Sequence, residues 1–116
     1  MNKLLTVGCA AATFAVLLTG AASDATANAP CGTTAPDIDG SSYVSATSSA
    51  ANIRTGSSTS CTSIGSLLAG QRIDYYCYTR TSTYTWSYLR DVATGKVGWV
   101  RDDLLPGGGS LVYCGF

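Results

Sequence analysis

Apolar and polar residues follow three successive patterns along the chain. Residues 4–19 form an apolar run interrupted only by small residues, behind the short cationic start Asn2-Lys3. Ala21, Ala22, Ser23 and then Ala25-Thr26-Ala27 follow it. A cationic start, an apolar stretch and a small-residue end are the layout of a secretory signal peptide, and the spacing of Ala25 and Ala27 predicts cleavage after Ala27. The run is too short and too rich in Ala and Gly for a membrane span of ~20 residues. Residues 28–42 have no apolar period and are rich in Pro, Gly, Ala and Asp, which reads as a leader. Beyond them, short stretches of β-forming residues alternate with turn residues.

In that third region no segment sustains a helical period, so an all-β fold is expected. Residues 43–46 read as a weak first strand. A second starts at Ile53, and 54–60 is a hydroxyl-rich loop in which Gly56 can supply a positive φ. Ile64, Leu67 and Leu68 mark a strand, Ala69-Gly70-Gln71 a tight turn, and residues 72–78 a strand of strong β formers. Residues 84–90 alternate, which puts Tyr84, Trp86, Tyr88 and Arg90 on one face and Ser87 and Leu89 on the other. A turn near Gly95 leads to the strand 97–100. Residues 101–105 read as one tight helical turn, and 106–109 as a flexible link. The tail 110–116 brings Cys114 back towards the domain.

Removing the signal leaves roughly 90 residues, a size that buries only ~60% of its unfolded surface and is marginal on core burial alone. Disulfides offset that in small secreted domains. Cys9 leaves with the signal, and Cys31, Cys61, Cys77 and Cys114 remain. Four cysteines allow three pairings. The expected one is Cys61–Cys77, which lie almost symmetrically about the Gly70 turn, with Cys31–Cys114 clamping the two flanks. There is no histidine and no close Cys-x-x-Cys pair, which argues against a metal site and leaves the serines and cysteines without a catalytic base. Seven basic residues balance seven aspartates, so there is no charge footprint for nucleic acid or an anionic membrane.

The turn Asn52-Ile53-Arg54-Thr55-Gly56-Ser57-Ser58, the Gly70-Gln71 turn, the strand Trp86-Ser87-Tyr88-Leu89 and the strand Gly98-Trp99-Val100 occur in an order that resembles the bacterial Src homology 3-like domain. Ser57 stands where that family often has proline. The resemblance covers residues 43–105, with 106–116 as a tail beyond it. It implies a small barrel of five or six short strands, here carrying two disulfides. It also implies a binding module that recognises peptidoglycan or short peptides, with a groove matching Trp86 and Trp99 and with Asn52 and Arg54 in the adjoining loop.

The aromatic set is the sequence's one candidate site. Tyr84, Trp86, Tyr88 and Trp99 fall together if the strands pair as described, and such side chains suit shallow recognition of a peptide or sugar ring. The opposing reading is that they bury the area a thin barrel needs. Arg54 can pair with a ligand carboxylate or with loop carbonyls. Asp102-Asp103 reads as turn capping, and Asp37-x-Asp39-Gly40 lacks the other ligands of a calcium loop. The reading is therefore a secreted, cofactor-free, non-catalytic module that binds peptidoglycan or an extracellular peptide or protein. Its alternative is a secreted inhibitor or effector of a partner enzyme, acting through the loop 79–84 with Arg80.

Overall fold

The computed structural model describes residues 28–45 and 50–116. The expected signal segment, residues 1–27, lies outside them. Six strands follow in order: β1 (Ser42–Val44), β2 (Ala51–Arg54), β3 (Ser63–Leu67), β4 (Arg72–Arg80), β5 (Thr85–Asp91) and β6 (Val97–Arg101). Short 3-10 turns follow at Asp102–Leu104 and Pro106–Gly108. The strands form one antiparallel sheet in the spatial order β1-β4-β5-β6-β2-β3, without a hydrogen-bonded closure. The all-β expectation and the placement of each strand hold.

The inner face of the curled sheet carries Ala51, Ile53, Leu67, Ile73, Tyr75, Leu89, Val100 and Leu105. All but Leu105, which follows the 3-10 turn, are alternate, inward positions of their strands. Gly98 admits the crossing of β2 over β6. A Cβ there would lie 2.7 Å from the Arg54 carbonyl oxygen and 2.7 Å from Ile53 Cγ2. The glycine before Trp99 is thus a condition of the Arg54–Trp99 bridge that joins the two halves of the sheet.

A second apolar cluster lies on the outer face: Ala29, Cys77, Trp86, Tyr88 and Trp99, with Ala35, Tyr76, Val97, Cys114 and Phe116 packed against it. It exists because β4 changes face along its length. The register passes from Tyr75 opposite Leu89 to Cys77 opposite Tyr88, leaving Tyr76 as the extra residue of a β-bulge. Residues directly opposite share a face. Tyr75 therefore points into the inner core, and two positions later Cys77 points out.

The flanks cover this outer cluster. Residue 29 runs beside the loop after β2, where the Ser57 amide donates to the Ala29 carbonyl at 2.8 Å and the Gly32 amide to the Thr55 carbonyl at 2.8 Å. Gly56 does not have the positive φ expected of it. Its value is closeness, because a Cβ at Gly56 would sit 2.6 Å from the Ala29 oxygen. The segment then crosses Trp99, whose indole Nε1 donates to the Thr33 carbonyl at 2.9 Å. It reaches the edge of β4, where the Ile38 amide donates to the Tyr76 carbonyl at 3.1 Å. The tail pairs next along the same edge, with the Tyr78 amide donating to Val112 and the Cys114 amide to Tyr78, both at 2.8 Å. β1, leader and tail together leave little of that edge open to pairing with another chain.

The expected disulfides are corrected. Cys31 bonds Cys61, and Cys77 bonds Cys114. Cys61 and Cys77 are not partners because β3 and β4, although joined by the Gly70 turn, lie apart in the ladder and form no hairpin. Cys31 and Cys114 are not partners because the leader and tail meet the sheet at different places. The leader is stapled to the loop between β2 and β3 and the tail to β4, so the leader is held by hydrogen bonds and packing as well as by Cys31.

A buried polar network joins both flanks to the 3-10 turn. The Ser87 hydroxyl donates to Asp102 Oδ1 at 2.6 Å and accepts from the Ser110 amide at 2.8 Å. The Ser110 hydroxyl donates to Asp39 Oδ2 at 2.5 Å, and Asp39 Oδ1 accepts from the Ser41 hydroxyl. Burial favours the protonated form of Asp39, but the bonds from Ser110 and Ser41 outweigh it and hold the carboxyl below its ordinary range. Asp102 goes the other way: burial pushes it up to about 6, and the Ser87 hydroxyl offsets only part of that.

Asp102 therefore holds its proton in the folded state at pH values where the unfolded chain has lost it. Its contribution to stability is present below pH ~4 and is lost as pH rises towards about 6, a cost on the order of 2–3 kcal/mol by linkage. Asp102→Asn keeps an acceptor for Ser87 without the charge. Urea melts of the two proteins should diverge between pH 4 and 7, with the variant more stable at pH 7. Parallel pH profiles would show that Asp102 does not titrate in this window. The Asp39 contribution lies at lower pH and cancels in the difference.

Candidate functional site

The outer face is closed over Trp99 and open at its other end. Strand register sets this out: Tyr88 lies opposite Trp99, and Trp86 lies opposite Arg101. Trp99 is 0% exposed and Tyr88 is also buried. Their rings pack 4.9 Å apart, with Phe116 against Trp99 at 6.1 Å. Burial raises the Tyr88 phenol above its ordinary range. These two members of the expected groove are core residues of the outer cluster, packed beneath the leader and tail.

Trp86 is at the boundary. It is 4% exposed and forms the floor of a cleft of about 180 Å³ lined by Ala50, Asn52, Arg54, Thr59, Arg101 and Leu104. The sequence-expected Asn52, Arg54 and Trp86 thus come together. Tyr84, 44% exposed, lines an adjoining cleft of about 260 Å³ that shares Thr59, Trp86 and Arg101 with the first. Neither alone reaches the roughly 300 Å³ at which small-molecule sites usually begin. Joined over Trp86, they form one trough.

Arg54 Nη1 donates to the Thr59 carbonyl at 3.1 Å and the Cys61 carbonyl at 3.0 Å. The loop-bracing role is therefore present, and it fixes the guanidinium at the rim of the trough. Arg101 makes a two-point pair with Asp103, Nε to Oδ1 at 2.6 Å and Nη2 to Oδ2 at 3.1 Å. The Asp103 hydrogen bond raises the Arg101 pKa further above its ordinary value. The guanidinium also lies 4.2 Å from the centre of the Tyr84 ring.

Sequence reasoning missed Arg101, Leu104 and Thr59. Arg101 had a signal: it is two residues beyond Trp99 on the same strand, hence on the same face. Leu104 had none, since its position depends on the 3-10 turn. Arg80 does not project from the loop 79–84. It lies across the Tyr78 and Tyr113 rings, 5.6 and 5.4 Å from their centres, and donates to the Tyr78 hydroxyl at 3.2 Å. Among the described residues no group of acidic, cysteine or histidine side chains could hold a metal ion.

Residues 49–106 match the family model of the bacterial SH3 domain. The chain belongs to that family. No curated protein and no solved structure gives a significant match. Bacterial SH3 domains are generally non-catalytic binding modules, often linked to the cell wall. The family match ends at Pro106 and begins after β1, so Cys31 and Cys114 both lie outside it. Each disulfide ties one flank to a cysteine of the SH3 domain proper. Two disulfides suit an oxidising, extracellular setting, and no helix among the described residues is long and apolar enough to cross a membrane.

Proposed function

We propose that this SH3 domain is a secreted, non-catalytic module that recognises peptidoglycan or a short extracellular peptide in the trough over Trp86. The domain arrangement read from the sequence, a signal at 1–27, a leader at 28–42, a domain at 43–105 and a tail at 106–116, is part of this reading. The observation that carries it is which aromatic residues line a cleft, since Trp86, Tyr88 and Trp99 are all buried. Tyr88 and Trp99 are closed off by the flanks, while Trp86 remains beneath a cleft with Asn52, Arg54, Arg101 and Leu104 at its walls. Asn52 offers amide donors and an acceptor, Leu104 an exposed apolar contact, and Arg54 donors for carboxylates or peptide carbonyls.

Sedimentation with purified insoluble peptidoglycan tests the reading. The oxidised protein should leave the supernatant saturably. Asn52→Ala combined with Leu104→Ala changes two exposed residues and should weaken capture roughly tenfold, or ~1.4 kcal/mol, without altering the melt. A folded protein that stays in solution at all wall concentrations would defeat peptidoglycan as the ligand.

A further inference from the structure

We propose that the arm of the trough between residues 57–59 and 81–84 is a saccharide subsite, taking a neutral oligosaccharide such as a β-1,4-linked N-acetylhexosamine chain. The inference deepens the reading of the trough as a peptidoglycan site and rests on it.

The two arms differ in chemistry. The Asn52 arm has two guanidinium groups, an amide and two apolar residues. The other is walled by Ser57, Ser58, Thr59, Thr81, Ser82 and Thr83, with Tyr84 and Trp86 as its aromatic members and Arg101 as its one charged residue. No carboxylate lines it to attract a cation. An anion would meet a guanidinium already neutralised by its two-point pair with Asp103. A peptide strand would find little free sheet edge, because these walls are loops, β5 is paired on both sides, and β6 is paired along its length to β5 and to β2 at Trp99.

What remains is a neutral ligand rich in groups that both donate and accept. A hydroxyl does both and rotates to suit its partner, as do the hydroxyls of a sugar. An exposed tyrosine beside them supplies the apolar surface on which the C–H face of a pyranose packs. Ser57 is excluded from contact, since its hydroxyl is buried against Ala29. Thr59, Ser82 and Thr83 are the exposed wall residues, while half-buried Ser58 and Thr81 have their hydroxyls bonded within their own loops.

Both walls are held before any ligand arrives. The Thr81 hydroxyl accepts from the Tyr84 amide at 3.0 Å and the Thr83 amide at 3.3 Å, and donates to the Tyr84 carbonyl at 3.0 Å. The opposite wall is braced by Arg54 and by the Cys31–Cys61 disulfide. Pre-ordered walls reduce the entropy lost on binding, which matters most for weak, hydroxyl-mediated recognition.

Calorimetric titration of the oxidised protein with tetra-N-acetylchitotetraose, and in parallel with a sugar-free stem pentapeptide, tests the subsite. The tetrasaccharide should bind, Tyr84→Ala should weaken it at least fivefold, and Ser82→Ala with Thr83→Ala should do the same while leaving the stem peptide unaffected. Binding of the stem peptide without the tetrasaccharide would overturn the subsite and leave the wider reading standing. Binding of neither would overturn the subsite and defeat peptidoglycan as the ligand. Tetrasaccharide binding that ignores both variants would place the sugar elsewhere and overturn the assignment.

Discussion

Replacing Trp99 with alanine should cost about 3–5 kcal/mol, the range for deleting a buried aromatic side chain. The whole stability of a domain this size is on the order of 5–15 kcal/mol. The ring is fully buried between Tyr88 and Phe116, and its indole nitrogen holds the Thr33 carbonyl. The variant would therefore open a cavity and loosen the leader together. A urea melt measures the loss directly. A Trp99→Ala protein as stable as the parent would mean that the flanks do not cover this face. Trp86→Ala has a less separable effect, because Trp86 belongs to the same buried cluster as well as to the trough floor. That is why exposed Asn52 and Leu104 are the better probes of binding.

Removing the Cys77–Cys114 bridge with paired serines should cost roughly 4 kcal/mol, the chain-entropy value for a loop of this length. The two cysteines are 37 residues apart in sequence. The loss should be accompanied by release of the tail from β4, since the Tyr78 bonds to Val112 and Cys114 depend on it being held there. Hydrogen exchange at the Tyr78 and Cys114 amides should accelerate more than at the inner strands. Loss of stability below 1 kcal/mol with unchanged exchange would show that the tail docks without its staple.

The strands were legible because period-two alternation and turn residues are local. The stretch 84–90 shows the first and the Gly95 turn the second. The family was legible from the order of its turn and strand motifs, whose spacing survives the additions on both flanks. The disulfide pairing was not legible, because symmetry about Gly70 implies a hairpin only if β3 and β4 pair, and pairing is a tertiary choice. The fate of Trp99 and Tyr88 was hidden for a related reason. Their cover comes from Ala29, Thr33 and Ala35, which are small and carry no apolar period, and from one bulge at Tyr76 that turns Cys77 outward. Alternation correctly grouped Trp86 with Tyr88, but it does not say how far along that face the cover extends. Arg54 was legible in both its possible roles, and its bonds to Thr59 and Cys61 show that loop bracing is one of them.

The two tryptophans give the most direct test of where ligand binds. Each contributes one indole N–H resonance, and the sequence contains only Trp86 and Trp99. Soluble peptidoglycan fragments should be titrated into nitrogen-labelled, oxidised protein while both signals are followed. The expected result is a saturable shift of the Trp86 indole, with the Trp99 indole, bonded to Thr33, staying in place. A shift of Trp99 with Trp86 unmoved would contradict the trough and return the site to the face that the flanks cover.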